Sequence, residues 1–274
     1  MPPSTMNDLF RFLTELLTEH SDIFQSLGLA MFRGLAVILI VWFGVKSALS
    51  AAGGGGGFRF DHFAHLILTI AFGFAMITYY ARPLPGMGVS FHNLITDQGL
   101  TLANTLNHRM VDQVWSRLDT IYFSLEMPLL AFSIVQIIYF AVLVIAILAA
   151  EAAIFFVIAF GYIAAAVAVL LGPIFIPFFI VPKLEWLFWG WFKGFLQYSF
   201  YPVVANAYLF VFGNLLVNFV DSHPPPYDGA TMLLLFGPLL FLLIAFTYGM
   251  LRIPTLVNSL FAGSSGESAL PRAL

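Results

Sequence analysis

Between Leu129 and Leu171 the chain runs for 43 residues almost without polarity, broken only by Ser133, Gln136, Glu151 and a few hydroxyls. As one unbroken helix this run would be roughly 65 Å long, about twice the thickness of a bilayer's hydrocarbon core. Two membrane spans fit it better than one. Glu151, in AAEAA, then sits at a tight turn as a solvated carboxylate. In a single over-long helix it would instead lie at depth, where a charge is expensive and marks a pathway. Ala159, Gly161 and Ala164 to Ala166 follow, small residues that let neighbouring helices approach closely.

The rest of the composition agrees with a membrane setting. With 61% hydrophobic residues, 9% charged and 31 phenylalanines in 274 residues, a water-soluble fold would leave large apolar patches facing solvent. The expected class is all-α: a polytopic membrane helical bundle of five or six spans with amphipathic interfacial helices. The absence of cysteine excludes disulfides and thiolate metal sites, and a formal charge of −3 points to no electrostatic partner. The first twenty residues lack a basic segment leading into an apolar core and a small-residue cleavage site, so no cleavable signal peptide is expected.

Five segments follow in order. Residues 1–27 form an amphipathic amino-terminal segment, with Met6, Leu9, Phe10, Leu13, Leu16 and Leu17 at helical spacing over 5–20. Residues 28–81 hold the first two spans, about Gly28 to Ser50 and His62 to Ala81, joined by the glycine run Gly53 to Gly57. That run lacks the Lys-[Ser/Thr] of a phosphate-binding loop and reads as a turn. His62 and His65 share a face without a third ligand near in sequence, so an interfacial role is preferred to a metal site.

Residues 82–128 form the one sustained polar loop, in which Leu102, Leu106, Met110, Val114 and Leu118 step by four. Asn104, His108, Arg109, Asp112 and Arg117 fill other positions of this amphipathic helix. It packs on the bundle's own surface or serves as a platform for partners. Residues 129–252 make the core membrane domain. Residues 253–274 are a small, polar tail after Arg252 and Pro254.

Inside the core domain, 171–190 is the expected break. Pro173, Pro177 and Pro182 each remove a helical hydrogen bond and crowd the preceding turn. Trp186, Trp189 and Trp191 stand beside Lys183, Glu185 and Lys193, a grouping suited to a membrane–water boundary. The segment therefore reads as an irregular re-entry at one bilayer face with a packed helix on either side. No nucleophile with a base, metal cluster or nucleotide motif is present, so no enzyme activity, cofactor or metal is expected.

The stretch LGPIFIPFFIVPKLEWLFWGWFKGFLQYSFYPVVANAY resembles a segment of the TrbL-type inner-membrane proteins of bacterial conjugation and type IV secretion. The shared features are a Gly-Pro after an apolar helix, a short polar turn, a Trp opening the next helix and a Pro about ten residues later. Here these fall on Gly172, Pro173, Trp191 and Pro202, and IPTLVNSLFAGSSGES, with Pro254, is similar to the family's closing segment. The resemblance covers roughly Leu129 to Glu267, with the first hundred residues matching in layout only.

It implies a non-enzymatic channel or scaffold subunit of the bacterial inner membrane, multi-pass, with its carboxyl terminus in the cytoplasm. Its implied partners are further copies of itself in a ring, secretion ATPases, a stalk or pilus-tip subunit, membrane lipid and, transiently, the DNA or protein that crosses. Gly172, Pro173, Pro177, Pro182, Trp186, Trp191, Pro202 and Pro254 would be structural, and Glu151, His108, Arg109, Asp112 and Arg117 would border a lumen or partner surface.

Two other considerations remain. Six spans would gather most cations on the side of the large loop, which the positive-inside rule makes cytoplasmic, whereas the resemblance puts that loop in the periplasm and needs an odd count. A secondary transporter or ion channel, with a small-solute site at 173–182, is the alternative function. It lacks the internal repeat and the intramembrane polarity that such proteins use.

Overall fold

The computed structural model describes residues 3–53, 59–94, 113–123, 134–224 and 229–262, and no strand occurs among them. Helix α1 spans Pro3–Ala52 and α2 Phe60–Thr78, α3 is the helix over 113–123, α4 spans Ile134–Phe175, α5 Glu185–Asp221 and α6 Gly229–Ala262. Among the described residues five segments are long and apolar enough to cross a membrane: Asp22–Ala52, Phe60–Thr78, Ile137–Ile180, Glu185–Asp221 and Leu234–Phe261. The fold is thus an all-α polytopic bundle, with five candidate spans among the described residues.

The expectation of two spans in the long apolar run is corrected. Helix α4 is continuous for 42 residues, and Glu151 sits within it, half-buried, rather than at a turn. The cause is local. Alanine and glutamate are strong helix formers, and no Gly or Pro interrupts 134–160 to stop the helix. The helix expected over 5–20 and the span expected from 28 likewise run as one, with Pro3 at its start, where a missing N–H costs nothing.

The proline break is also narrower than 171–190. Helix α4 passes through Pro173 to Phe175, a 3₁₀ segment follows at Ile176–Ile180 with Pro177 in its first turn, and α5 starts at Glu185. Only 176–184 departs from α-helix. Trp191 accordingly lies in the second turn of α5 and does not open it. Helix α6 continues through Pro254 to Ala262, past the expected end at Arg252.

The chain divides into two compact units, one built from 1–10, 99–162 and 199–274, the other from 11–98 and 163–198. In the second unit α1 and α2 form a hairpin, as the ring pairs Phe32–Phe74 (6.2 Å) and Phe43–Phe63 (5.6 Å) show. Gln25 Nε2 donates to the carbonyls of Ile77 and Thr78 at 3.3 and 3.4 Å and so caps the carboxyl end of α2. This unit's core gathers Phe32, Ile77, Tyr80, Val169, Ile176, Ile180, Trp191 and Phe195.

In the first unit α4 and α6 run in the same direction, with Tyr139 stacked on Phe236 at 4.3 Å at one end. At the other end Phe160 meets Tyr201, whose phenol donates to Asn258 Oδ1 at 3.3 Å, and further along α5 Tyr208 Oη donates to the earlier Phe246 carbonyl at 3.1 Å, so α5 runs antiparallel to both. Helix α3 buries Val114, Trp115, Leu118 and Ile121 in this unit.

Candidate functional site

The residues singled out at the proline break come together in the second unit around a side chain that the sequence reading did not mark, Tyr80. A proline at 173 has no N–H to give to the carbonyl four residues earlier, which belongs to Val169. Tyr80 Oη donates to that carbonyl at 2.7 Å. The hydroxyl thus replaces the hydrogen bond that Pro173 removes, where an unpaired buried carbonyl would be costly. One residue earlier, Trp191 Nε1 donates to the Ala168 carbonyl at 2.8 Å.

Gly172 makes this possible. A Cβ there would collide with the Tyr80 phenol, so only glycine lets the ring reach the α4 backbone. Gly28 on α1 does the same on another side, because a Cβ at that position would run into the Pro173 carbonyl. The Gly-Pro pair is therefore pressed between two elements, which is why both residues are buried.

Aromatic rings fill the remaining space. Trp191 lies parallel to Phe175 (6.4 Å, 3°) and to Phe195 (5.6 Å, 6°), and it is 6.5 Å from Tyr80. His92 stacks on Tyr80 at 5.4 Å, and its ring Nδ1 is hydrogen-bonded to the Tyr80 carbonyl. Burial raises the pKa of the Tyr80 phenol well above its usual value, so it stays a neutral donor.

Pro177 is buried beside Ile176 and Ile180, whereas Pro182 and Trp186 are exposed at the tip of the turn. Trp189, also exposed, donates to Glu185 Oε1 at 2.6 Å. The Gly190–Gly194 pair makes no close helix contact: a Cβ at Gly190 would meet nothing within 4 Å.

The other candidates lie in the first unit. Pro202 is buried, and a Cβ at Gly161 would come within 2.8 Å of Tyr201 Cβ and 3.3 Å of Pro202 Cδ, so the small-residue run does mark a close helix approach. Pro254 is half-buried in α6. Arg117 pairs with Asp221 at 2.9 Å and ties α3 to the end of α5. His108, Arg109 and Asp112 lie outside the described residues. Among the described residues no three His, Cys, Asp or Glu side chains form a group that could hold a metal. His62 Nδ1 is 3.1 Å from Asp61 Oδ2, and His65 Nδ1 lies 3.5 Å from the Thr69 hydroxyl.

What the sequence reading missed is Tyr80, Gly28 and Gln25. A Tyr at the end of an apolar span looks like an ordinary interfacial anchor. The one usable signal was the orphaned carbonyl implied by Pro173, which requires some donor without naming it.

The arrangement closes a broken helix with donors from its own chain. Comparison with curated proteins returns no match. The model of the family described as TrbL/VirB6 plasmid conjugal transfer protein matches residues 36–251, from within the first span to near the end of the last. The match reaches much further toward the amino terminus than the resemblance drawn from Leu129 onward, and it stops short of the closing IPTLVNSLFAGSSGES. Covering well over half of the chain, it shows that this protein belongs to the TrbL/VirB6 plasmid conjugal transfer family.

Proposed function

We propose that this protein is a channel or scaffold subunit in the bacterial inner membrane. In this reading several copies assemble into a platform that carries a periplasmic stalk and helps DNA or protein cross. The observation that carries the proposal is the family match across all five apolar helices, 36–251. The broken segment supports it too, since its freed carbonyl is taken by Tyr80 instead of being left for a solute.

Five spans support the orientation that the family resemblance implied. With an odd count the termini lie on opposite sides, and the cations divide almost evenly. Arg11, Arg33, Arg82, Arg109 and Arg117 fall on the amino-terminal side by span order, and Lys46, Arg59, Lys183, Lys193, Arg252 and Arg272 on the other. The charge bias that spoke against a periplasmic large loop therefore disappears. A cytoplasmic carboxyl terminus is part of this proposal.

The test is a transfer assay in cells that lack the chromosomal or plasmid copy of this gene. Wild type should restore transfer, and Trp191→Ala should not. Restored transfer with an empty vector, or full transfer by a variant that fails to assemble, would contradict the proposal.

A further inference from the structure

In the first unit a cavity of about 270 Å³ opens between α4 and α6, bordered by Ala146 and Ala149 on α4 and by Leu243, Thr247, Tyr248 and Leu251 on α6. Its lining is almost wholly apolar, because two alanines three positions apart stand where larger residues would fill the groove. The hydroxyl of Thr247 is turned to its own helix, donating to the Leu243 carbonyl at 2.8 Å.

One turn beyond Tyr248, on the same face of α6, lies Arg252. Its Nε donates to Tyr248 Oη at 3.0 Å, and its guanidinium carbon is 5.0 Å from the centre of that ring. These contacts hold the guanidinium beside the groove and leave its two terminal nitrogens available. Among the described residues no carboxylate pairs with it.

Arg252 ends the uncharged run 234–251 of α6, which as a helix is about 27 Å long, close to the thickness of a bilayer's hydrocarbon core, and this puts the guanidinium end of the groove near headgroup level. Glu151 is two residues past Ala149, on a different face of α4, and does not neutralise the arginine. An apolar slot that ends at a fixed, unneutralised guanidinium has the chemistry of a phospholipid site. The slot takes an acyl chain, and the guanidinium takes the phosphate through paired N–H donors.

We propose that the α4–α6 groove binds one anionic phospholipid, with an acyl chain against Ala146, Ala149 and Leu251 and the headgroup phosphate on Arg252. A headgroup with net negative charge is favoured over a zwitterionic one, because among the described residues no carboxylate pairs with Arg252.

The experiment is native mass spectrometry of the full-length protein in detergent, offered equal amounts of phosphatidylglycerol and phosphatidylcholine. Wild type should retain phosphatidylglycerol about five-fold better than phosphatidylcholine, and Arg252→Gln should remove that preference. Ala149→Phe, which fills the groove, should lower retention of both lipids, and Arg252→Lys should keep part of the preference. The wild-type comparison needs no variant, so a folding defect in one does not shelter the proposal. Equal retention of the two lipids by wild type, or an unchanged preference in Arg252→Gln, would overturn it.

Discussion

Tyr80 and Val169 are 89 residues apart in sequence, yet the phenol of one donates to the carbonyl of the other at 2.7 Å, in place of the N–H that Pro173 lacks. Helix α4 can therefore carry a proline near its end without leaving a buried acceptor unpaired. The turn at 181–184 and the start of α5 are then positioned by a packed core, with Trp191 held to Ala168 from the other arm. A proline-broken segment in a membrane protein is tolerated when protein covers it, and here the cover comes from Tyr80, Gly28 and the tryptophan.

Replacing Tyr80 with Phe should cost about 1–3 kcal/mol, because it strands the Val169 carbonyl while keeping the ring. Pro173→Ala supplies an N–H to the same carbonyl, so the double variant should be less destabilised than the two single changes add up to. Thermal unfolding in detergent of all four proteins measures the coupling. Strict additivity would show that the hydroxyl is not serving the orphaned carbonyl.

The same phenol sets a pH dependence. Its folded pKa is raised by burial, while the unfolded value is near the usual ~10 for tyrosine. A neutral phenol is therefore favoured by folding. Its contribution is fully present below about pH 10 and is lost as pH rises toward the folded value. Wild type should lose its stability advantage over Tyr80→Phe above about pH 10 and keep it unchanged between pH 6 and 9.

Gly172→Ala should be far more damaging than Gly190→Ala, although both glycines lie in or beside the same helical turn-around. The first places a methyl against the Tyr80 phenol, and the second meets open space. Overpacking of this kind costs about 1–3 kcal/mol or more, whereas Gly→Ala at an open helical position gains up to about 1 kcal/mol. Folded yield by size-exclusion chromatography distinguishes the two.

Trp191 and Trp186 form a similar contrast. Trp191 is 8% exposed and hydrogen-bonded, whereas Trp186 is 67% exposed. Trp191→Ala should lose about 3–5 kcal/mol and Trp186→Ala almost nothing. A lower melting temperature for Trp186→Ala than for Trp191→Ala would contradict the packing described.

The span count has its own test, helped by the lack of cysteine in the chain. Ser4→Cys and Ser265→Cys should react oppositely with a membrane-impermeant maleimide in intact cells stripped of their outer membrane. Labelling of both, or of neither, would contradict five spans.

Much of the architecture was legible in the sequence. The long apolar run, the three prolines and the tryptophans specified a helical membrane bundle with a break near 173–182, and the order of Gly172, Pro173, Trp191 and Pro202 pointed to the family. The continuity of α4 was misread because length alone was weighed against a single helix. The Ala-Glu-Ala sequence and the missing breaker favour helix regardless of bilayer thickness. The partner of the Val169 carbonyl was not legible, because a tertiary contact across 89 residues leaves no local pattern. The face of α3 was partly legible. Its step-of-four apolar residues do pack into the first unit at Val114 and Leu118, while the Arg117–Asp221 pair depends on where α5 ends.

The most direct measurement is to extract the protein from its native membrane in mild detergent, identify what accompanies it and count its copies in the same particle. Several copies per particle, together with secretion ATPases and stalk components, is the result expected of a channel or scaffold subunit. Recovery as a monomer or dimer with no secretion component would contradict that account.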